Sequence, residues 1–347
     1  MAGARLLAVG RQVAVRLAAA EGAEAAFLGG SIVVGLGNEH SDIDVYLVGA
    51  EMRESRRQLS SGGMRVDVQT LATQRLSDLV DRVLVDYPAP GAARVIDADL
   101  VVAVRLLTAE VVSDTGYLAT LRQRLASRPL PLRRMVVSSW ARTAYSAVED
   151  VAGLAESAER LDLDAAILAG RRALLAAGKA LAASCGDLHQ GEKWVWHQLA
   201  RSAPATFPLD DYRRLMHHDK PDPELISLVQ TCLVVAMASG WCGVPLEQWP
   251  AWADEGGPLR RAAYVVPCSS DYGTVFVRPG GHVLSASAEA LLIWGLCHGA
   301  TVERLVAHAA ALRPLARPWN GLDGARCGAV LRELAEASMI TGAHDED

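Results

Sequence analysis

The segment LGGSIVVGLGNEHSDIDVYLV, residues 28–48, places a glycine pair and a serine directly after an apolar run. Eleven residues beyond Ser31 come two aspartates, Asp42 and Asp44, in Asp-x-Asp spacing. The apolar alternation of DIDVYLV predicts a strand. Strand side chains alternate faces, so both carboxylates project to one side. Two such charges repel unless a cation sits between them. Hard oxygen ligands suit Mg²⁺, which takes about one or two carboxylates and fills its shell with phosphate oxygens.

Working outward, residues 4–20 have helical apolar spacing, and AEAAFLGG reads as a short strand entering a turn. MRVDVQTL, 64–71, is a further strand after the turn signal Ser61-Gly62-Gly63. A helix follows over about 72–85, then a proline- and glycine-bearing break, YPAPGAA. Asp67 is isolated among apolar neighbours in MRVDVQTL. If that strand lies beside the first, three carboxylates converge, a set that holds two metal ions: one activates an attacking hydroxyl, the other stabilises the leaving group. Gly29, Gly30 and Ser31 supply the other half, because glycines let backbone N–H groups approach a phosphate. A helix starting near Ile32 would add its positive end. A nucleoside triphosphate needs both features at once.

These residues resemble the motif of the nucleotidyltransferase superfamily, which includes DNA polymerase β and the antibiotic nucleotidyltransferases. Gly30-Ser31, Gly35-Leu36 and Ser41-Asp42-Ile43-Asp44 match it in residue and spacing. The resemblance implies that Gly29, Gly30 and Ser31 hold the triphosphate and that Asp42, Asp44 and Asp67 bind metal and carry the chemistry. Asp67 would help deprotonate the acceptor, with Asp97 and Asp99 as alternatives for the third carboxylate. The implied cofactor is Mg²⁺, two ions, with ATP as the expected nucleotide.

Residues 98–246 read as mainly helical. ALLAAGKALAASCGDLHQGEKWVWHQL, 173–199, resembles the helical domain of small-molecule nucleotidyltransferases. Only three of the 34 basic residues are lysines. Lys193 is weighed evenly between triphosphate partner and solvated surface, and Lys179 is expected on a solvated helix face. Trp194 and Trp196 are expected in the core. MHHDK, 216–220, lacks the convergent ligands of a zinc site.

Residues 247–260 read as a linker, and the chain then changes character. A strand, a hairpin around Pro279-Gly280-Gly281 and helices at 287–298, 301–312 and 325–337 suggest a small winged-helix-like domain. It resembles the pyrroloquinoline-quinone D protein family, which implies recognition of a leader peptide or a carrier-linked substrate. The expected architecture is α+β: a catalytic domain with a mixed sheet (1–128), a helical domain (129–246) and the winged-helix-like domain (261–340).

The chain of 347 residues is 51% hydrophobic, enough for a sizeable core. Its net charge of −6 counts against nucleic acid as a partner, and an RNA acceptor is the second enzymatic alternative. A non-catalytic nucleotide- or peptide-binding scaffold is the third. Six separated cysteines form no Cys-x-x-Cys pair, consistent with reduced thiols. Residues 225–246 are long and apolar enough to span a membrane, but their Ser, Gln, Thr and Pro content favours a buried helix. The expected setting is cytoplasmic, with no membrane partner and a small-molecule or peptide acceptor.

Overall fold

The computed structural model describes residues 2–86, 95, 97–155, 157, 159–220, 223–243, 246–270 and 273–342. The break expected at 87–93 lies outside the described residues. The chain is α+β and divides into two compact units. The first comprises Met1–Tyr87, Ala92–Met135 and Leu188–Trp194. The second holds Val136–Asp187 and Val195–Asp347, so the expected 261–340 segment and most of 129–246 share one unit.

The first unit opens with α1 (Ala2–Glu21), then β1 (Ala25–Gly29), β2 (Ile43–Gly49), β3 (Ser55–Ser61), β4 (Met64–Ala72) and α2 (Thr73–Val83). It continues with α3 (Asp97–Leu107), β5 (Glu110–Ser113) and α4 (Tyr117–Ser127), and α5 (Pro129–Leu154) begins in it. The five strands form one sheet in the order β3-β4-β2-β1-β5. β2 and β4 are parallel and every other pairing is antiparallel, so the sheet is mixed.

Period-two alternation sorts β2 into two faces. Ile43, Val45 and Leu47 pack with Val66 and Val68 of β4 and with Leu6, Val13 and Ala14 of α1. Burying each such aliphatic side chain contributes about 1.5–3 kcal/mol. This face fixes the register, because a one-residue slip would bury Asp44 and Tyr46 under α1. The opposite face carries Asp44, Tyr46 and Val48. There Tyr46 stacks on its cross-strand partner Phe27, with ring centroids 4.5 Å apart.

Neither β3 nor β5 is predicted by apolar alternation. β3, SRRQLSS, is an edge strand with exposed alternate positions, so it shows little apolar signal. β5 has four half-buried residues.

In the second unit, α6 (Arg160–Ser184) packs along α9 (Pro223–Cys242), and α7 (Val195–Ser202) and α8 (Leu209–Met216) lie against the pair. α9 meets the length and hydropathy of a membrane span, yet 78% of its apolar window is buried inside the protein. The expected buried helix is what forms.

The remainder comprises β6 (Leu259–Arg261), β7 (Val266–Ser270), β8 (Gly273–Arg278), β9 (His282–Ser285), α10 (Ala288–Leu296), β10 (His298–Ala300), α11 (Val302–Leu312), α12 (Gly324–Glu336) and β11 (Ile340–Thr341). The β8–β9 hairpin turns at Pro279-Gly280-Gly281, and the three helices fall where helical spacing predicts them. Buried Trp294 donates its indole N–H to the Met339 carbonyl at 2.9 Å. Buried Trp319 donates to the Ala288 carbonyl at 3.1 Å. Residues 247–260 are not a solvated tether: Trp249 and Ala251 are buried, and the Gly257 N–H bonds the Gly299 carbonyl at 2.5 Å. Their irregular backbone follows from two prolines and two glycines, while their tryptophans pull them inward.

Candidate functional site

The sheet brings the predicted carboxylates together. Asp44 of β2 stands in register with Asp67 of β4 on one side and with Gly29 of β1 on the other. Asp42 precedes β2 by one residue and lies near the same arginine as Asp67. Its position comes from a turn in which buried Ser41 accepts the Asn38 N–H at 2.9 Å and donates toward the Asn38 side-chain oxygen at 3.3 Å. His40 is exposed on that turn.

Gly30, the residue after β1, lies in the left-handed region, φ +81°, which glycine adopts without steric cost. A Cβ there would fall 1.9 Å from the nearer Asp44 carboxylate oxygen. The bend and the carboxylate are therefore in direct apposition. No helix starts at Ile32. Residues 31–35 form turns, and the Leu36 and Gly37 N–H groups both return to the Ser31 carbonyl at 2.9 Å. Gly35, at φ +73°, breaks a helical run there. The expected helix dipole is absent, and the loop instead closes on Ser31. A Cβ at Gly29 would meet Arg105 and Tyr46 side-chain atoms at 3.1–3.3 Å.

Two arginines that the motif does not include hold the acidic cluster. Arg65, two residues before Asp67 on the same strand face, grips Asp67 through two parallel bonds of 3.0 and 2.9 Å. It also lies 3.6 Å from Asp42. Arg105 of α3 reaches Asp44 at 3.0 Å and donates to the Tyr46 hydroxyl. Burial pushes the Asp44 carboxyl above its ordinary value; Arg105 pulls it back, and Asp67 and Asp42 push it up again. Alternation places Arg65 on the Asp67 face from sequence alone. Nothing local links Arg105 to Asp44, 61 residues earlier.

Among the described residues, no three His, Cys, Asp or Glu side chains are grouped closely enough to enclose a metal ion by themselves. Asp44 and Asp67, adjacent across parallel strands, are oxygen donors of the kind a hard divalent cation takes.

The alternatives for the third carboxylate lie elsewhere. Buried Asp99 is held by Arg75 and, at 3.0 Å, by Arg82. Asp97 begins α3. Lys193 is exposed, its ammonium 5.4 Å from the Trp194 ring centroid. Lys179 is not on a solvated face. It is 1% exposed, donates to the buried Gln198 side chain and lies 5.5 Å from the Trp140 ring centroid. Its helix is apolar all round at this point, so a charge there has to be paired internally. Trp194 is core, and half-buried Trp196 meets Tyr212 edge-on at 5.2 Å. His217, in MHHDK, is exposed.

No protein-family model matches the chain, and no curated protein does. One similar solved structure is that of a nucleotidyltransferase-like protein from Exiguobacterium sibiricum 255-15. It shares 15% identity and a TM-score of 0.35, over 67% of this chain and 76% of that one. A similarity of this size assigns neither fold nor function.

Proposed function

We propose that the protein is an Mg²⁺-dependent nucleotidyltransferase. It moves a nucleoside monophosphate, AMP from ATP, to a hydroxyl of a small molecule or peptide. The observation that supports this reading is the apposition of Asp44 with Asp67 across parallel strands and with the left-handed Gly30 bend at its edge.

In this reading Asp42, Asp44 and Asp67 would hold the metal, which would supply charge neutralisation at the transferring phosphoryl group. The Gly30-Ser31 bend receives the β- and γ-phosphates. The acceptor oxygen bonds to the α-phosphorus, the bond to the bridging oxygen breaks, and pyrophosphate leaves. Asp67 takes the hydroxyl proton, with its orientation fixed by Arg65. Positioning and charge complementarity account for most of the rate. Peptide or carrier recognition by the β7–β9 and α10–α12 region is part of the same proposal.

A second reading has one observation in its favour: Arg65 and Arg105 already neutralise two of the carboxylates. The protein would then bind nucleotide without turning it over. Labelled triphosphates, Mg²⁺ and an extract of the source cells, followed by mass spectrometry, separate the two. Enzymatic transfer gives a nucleoside-monophosphate adduct and pyrophosphate, both lost in Asp44→Asn. Triphosphate bound without pyrophosphate release in the presence of the acceptor supports the second reading.

A further inference from the structure

The second unit contains a cavity of about 530 Å³ between α8, α9, the 252–254 segment and the β6 and β10 strands. Small-molecule sites span about 300–1,000 Å³, so its size fits a metabolite. Leu215, Ile226 and Trp252 supply apolar walls.

The polar part is built around Arg261, which lines the cavity at 8% exposure. Its Nη2 donates to the Ser227 hydroxyl at 3.1 Å and to the Ser227 carbonyl at 3.3 Å. Its Nη1 is buried with no hydrogen-bond partner among the described residues. A buried guanidinium with an unused donor is costly unless an anion takes it. The acidic residues lining the same cavity are engaged by other arginines: Asp254 by Arg260, and Asp211 and Glu224 by Arg214.

The neighbouring histidine adds no charge. The His298 Nδ1 faces the Ala251 carbonyl at 3.0 Å, and a carbonyl only accepts, so Nδ1 carries the proton. The Nε2 then accepts from the Ser227 hydroxyl at 2.9 Å. Burial pushes the imidazole down to about 4, with Arg261 acting in the same direction. At neutral pH the group therefore presents one positive charge, and the Ser227 hydroxyl, its proton directed to His298, holds the guanidinium in place. Tyr264, also lining the cavity, is held at φ +58°, a strained backbone of the kind that collects at ligand sites.

We propose that this cavity binds a small monocarboxylate with an apolar body, its carboxylate on Arg261. One charge is matched by one guanidinium; the second charge of a phosphate dianion would have no cation of its own, because Arg260, also in the lining, is engaged by Asp254. The proposal does not depend on nucleotidyl transfer.

The test is a ligand-observed NMR titration of the full chain with monocarboxylates from butyrate to indole-3-acetate, each paired with its primary amide, and with inorganic phosphate as competitor. At least one acid is expected to bind ten-fold or more tightly than its amide. Arg261→Gln should erase that preference. Ala253→Trp, at an exposed lining position that should not disturb folding, should weaken binding ten-fold or more. Acids binding no better than amides, a preference surviving Arg261→Gln, binding unchanged in Ala253→Trp, or displacement by equimolar phosphate would each overturn it. Should Arg261→Gln fail to fold, the acid–amide comparison and Ala253→Trp still decide.

Discussion

Asp44 and Asp67 are register partners on the parallel strands β2 and β4, so their carboxylates share one sheet face although 23 positions separate them in the chain. Neighbouring strands lie about 4.8 Å apart, within the span that one divalent ion bridges.

The Gly30 bend gives a controlled comparison. Gly30→Ala sets a methyl against the Asp44 carboxylate and forces it aside, whereas a Cβ at Gly35 meets nothing within 4 Å. Both positions have positive φ, so each alanine should cost about 1 kcal/mol. Only Gly30→Ala should also lose nucleotidyl transfer, by about 100-fold. Equal activity of the two variants in a pyrophosphate-release assay would refute the apposition.

Asp67 and Asp99 should separate chemistry from stability. Asp99→Ala leaves Arg75 and Arg82 without their shared partner. Both guanidiniums are about a third exposed, so the loss should be about 2–3 kcal/mol rather than that of a fully buried pair. Transfer per folded molecule should persist. Asp67→Asn should do the reverse, with a loss of about 1,000-fold in turnover and little change in urea midpoint. The opposite pattern would make Asp99 the working carboxylate.

Asp44 sets a pH dependence of known sign. Its carboxyl is raised by burial, with Arg105 opposing, so the folded protein holds this proton to higher pH than the unfolded chain does. Its contribution to stability is full below the ordinary carboxylate value of about 4 and falls as pH rises through the raised value. Urea unfolding between pH 3 and 8 should show this downward component in the wild type and not in Asp44→Asn. Addition of Mg²⁺ with ATP should restore stability at neutral pH in the wild type alone.

His298 acts with the opposite slope. Its imidazole is pushed down to about 4 by burial and by Arg261, so protonation opposes folding. Stability should fall as pH drops from about 6.5 toward 4, by up to about 3 kcal/mol. His298→Gln should flatten that limb of the urea-derived profile, and an unchanged limb would show that the ring is solvated.

The local pattern around residues 28–48 and 64–71 was enough to place both carboxylate strands, because alternation and turn glycines act over a few residues. Their parallel pairing is a tertiary fact, and so is the Arg105 ion pair, which depends on where α3 lands. β3 was illegible because an edge strand need not alternate apolar residues. The helix expected at Ile32 ignored Gly35 and Gly37, which let the loop return to Ser31. Charge alone predicts a solvated Lys179, whereas the alanines and leucines around it mark a helix buried on every side.

The proposed activity requires Asp42, Asp44 and Asp67 to hold a divalent ion against the Gly30 bend. Mn²⁺ electron paramagnetic resonance on the full chain, with a non-hydrolysable ATP analogue, measures this directly. Mn²⁺ binding should depend on nucleotide and weaken about ten-fold or more in each of Asp42→Asn, Asp44→Asn and Asp67→Asn. Mn²⁺ binding in all three variants at wild-type strength would contradict it.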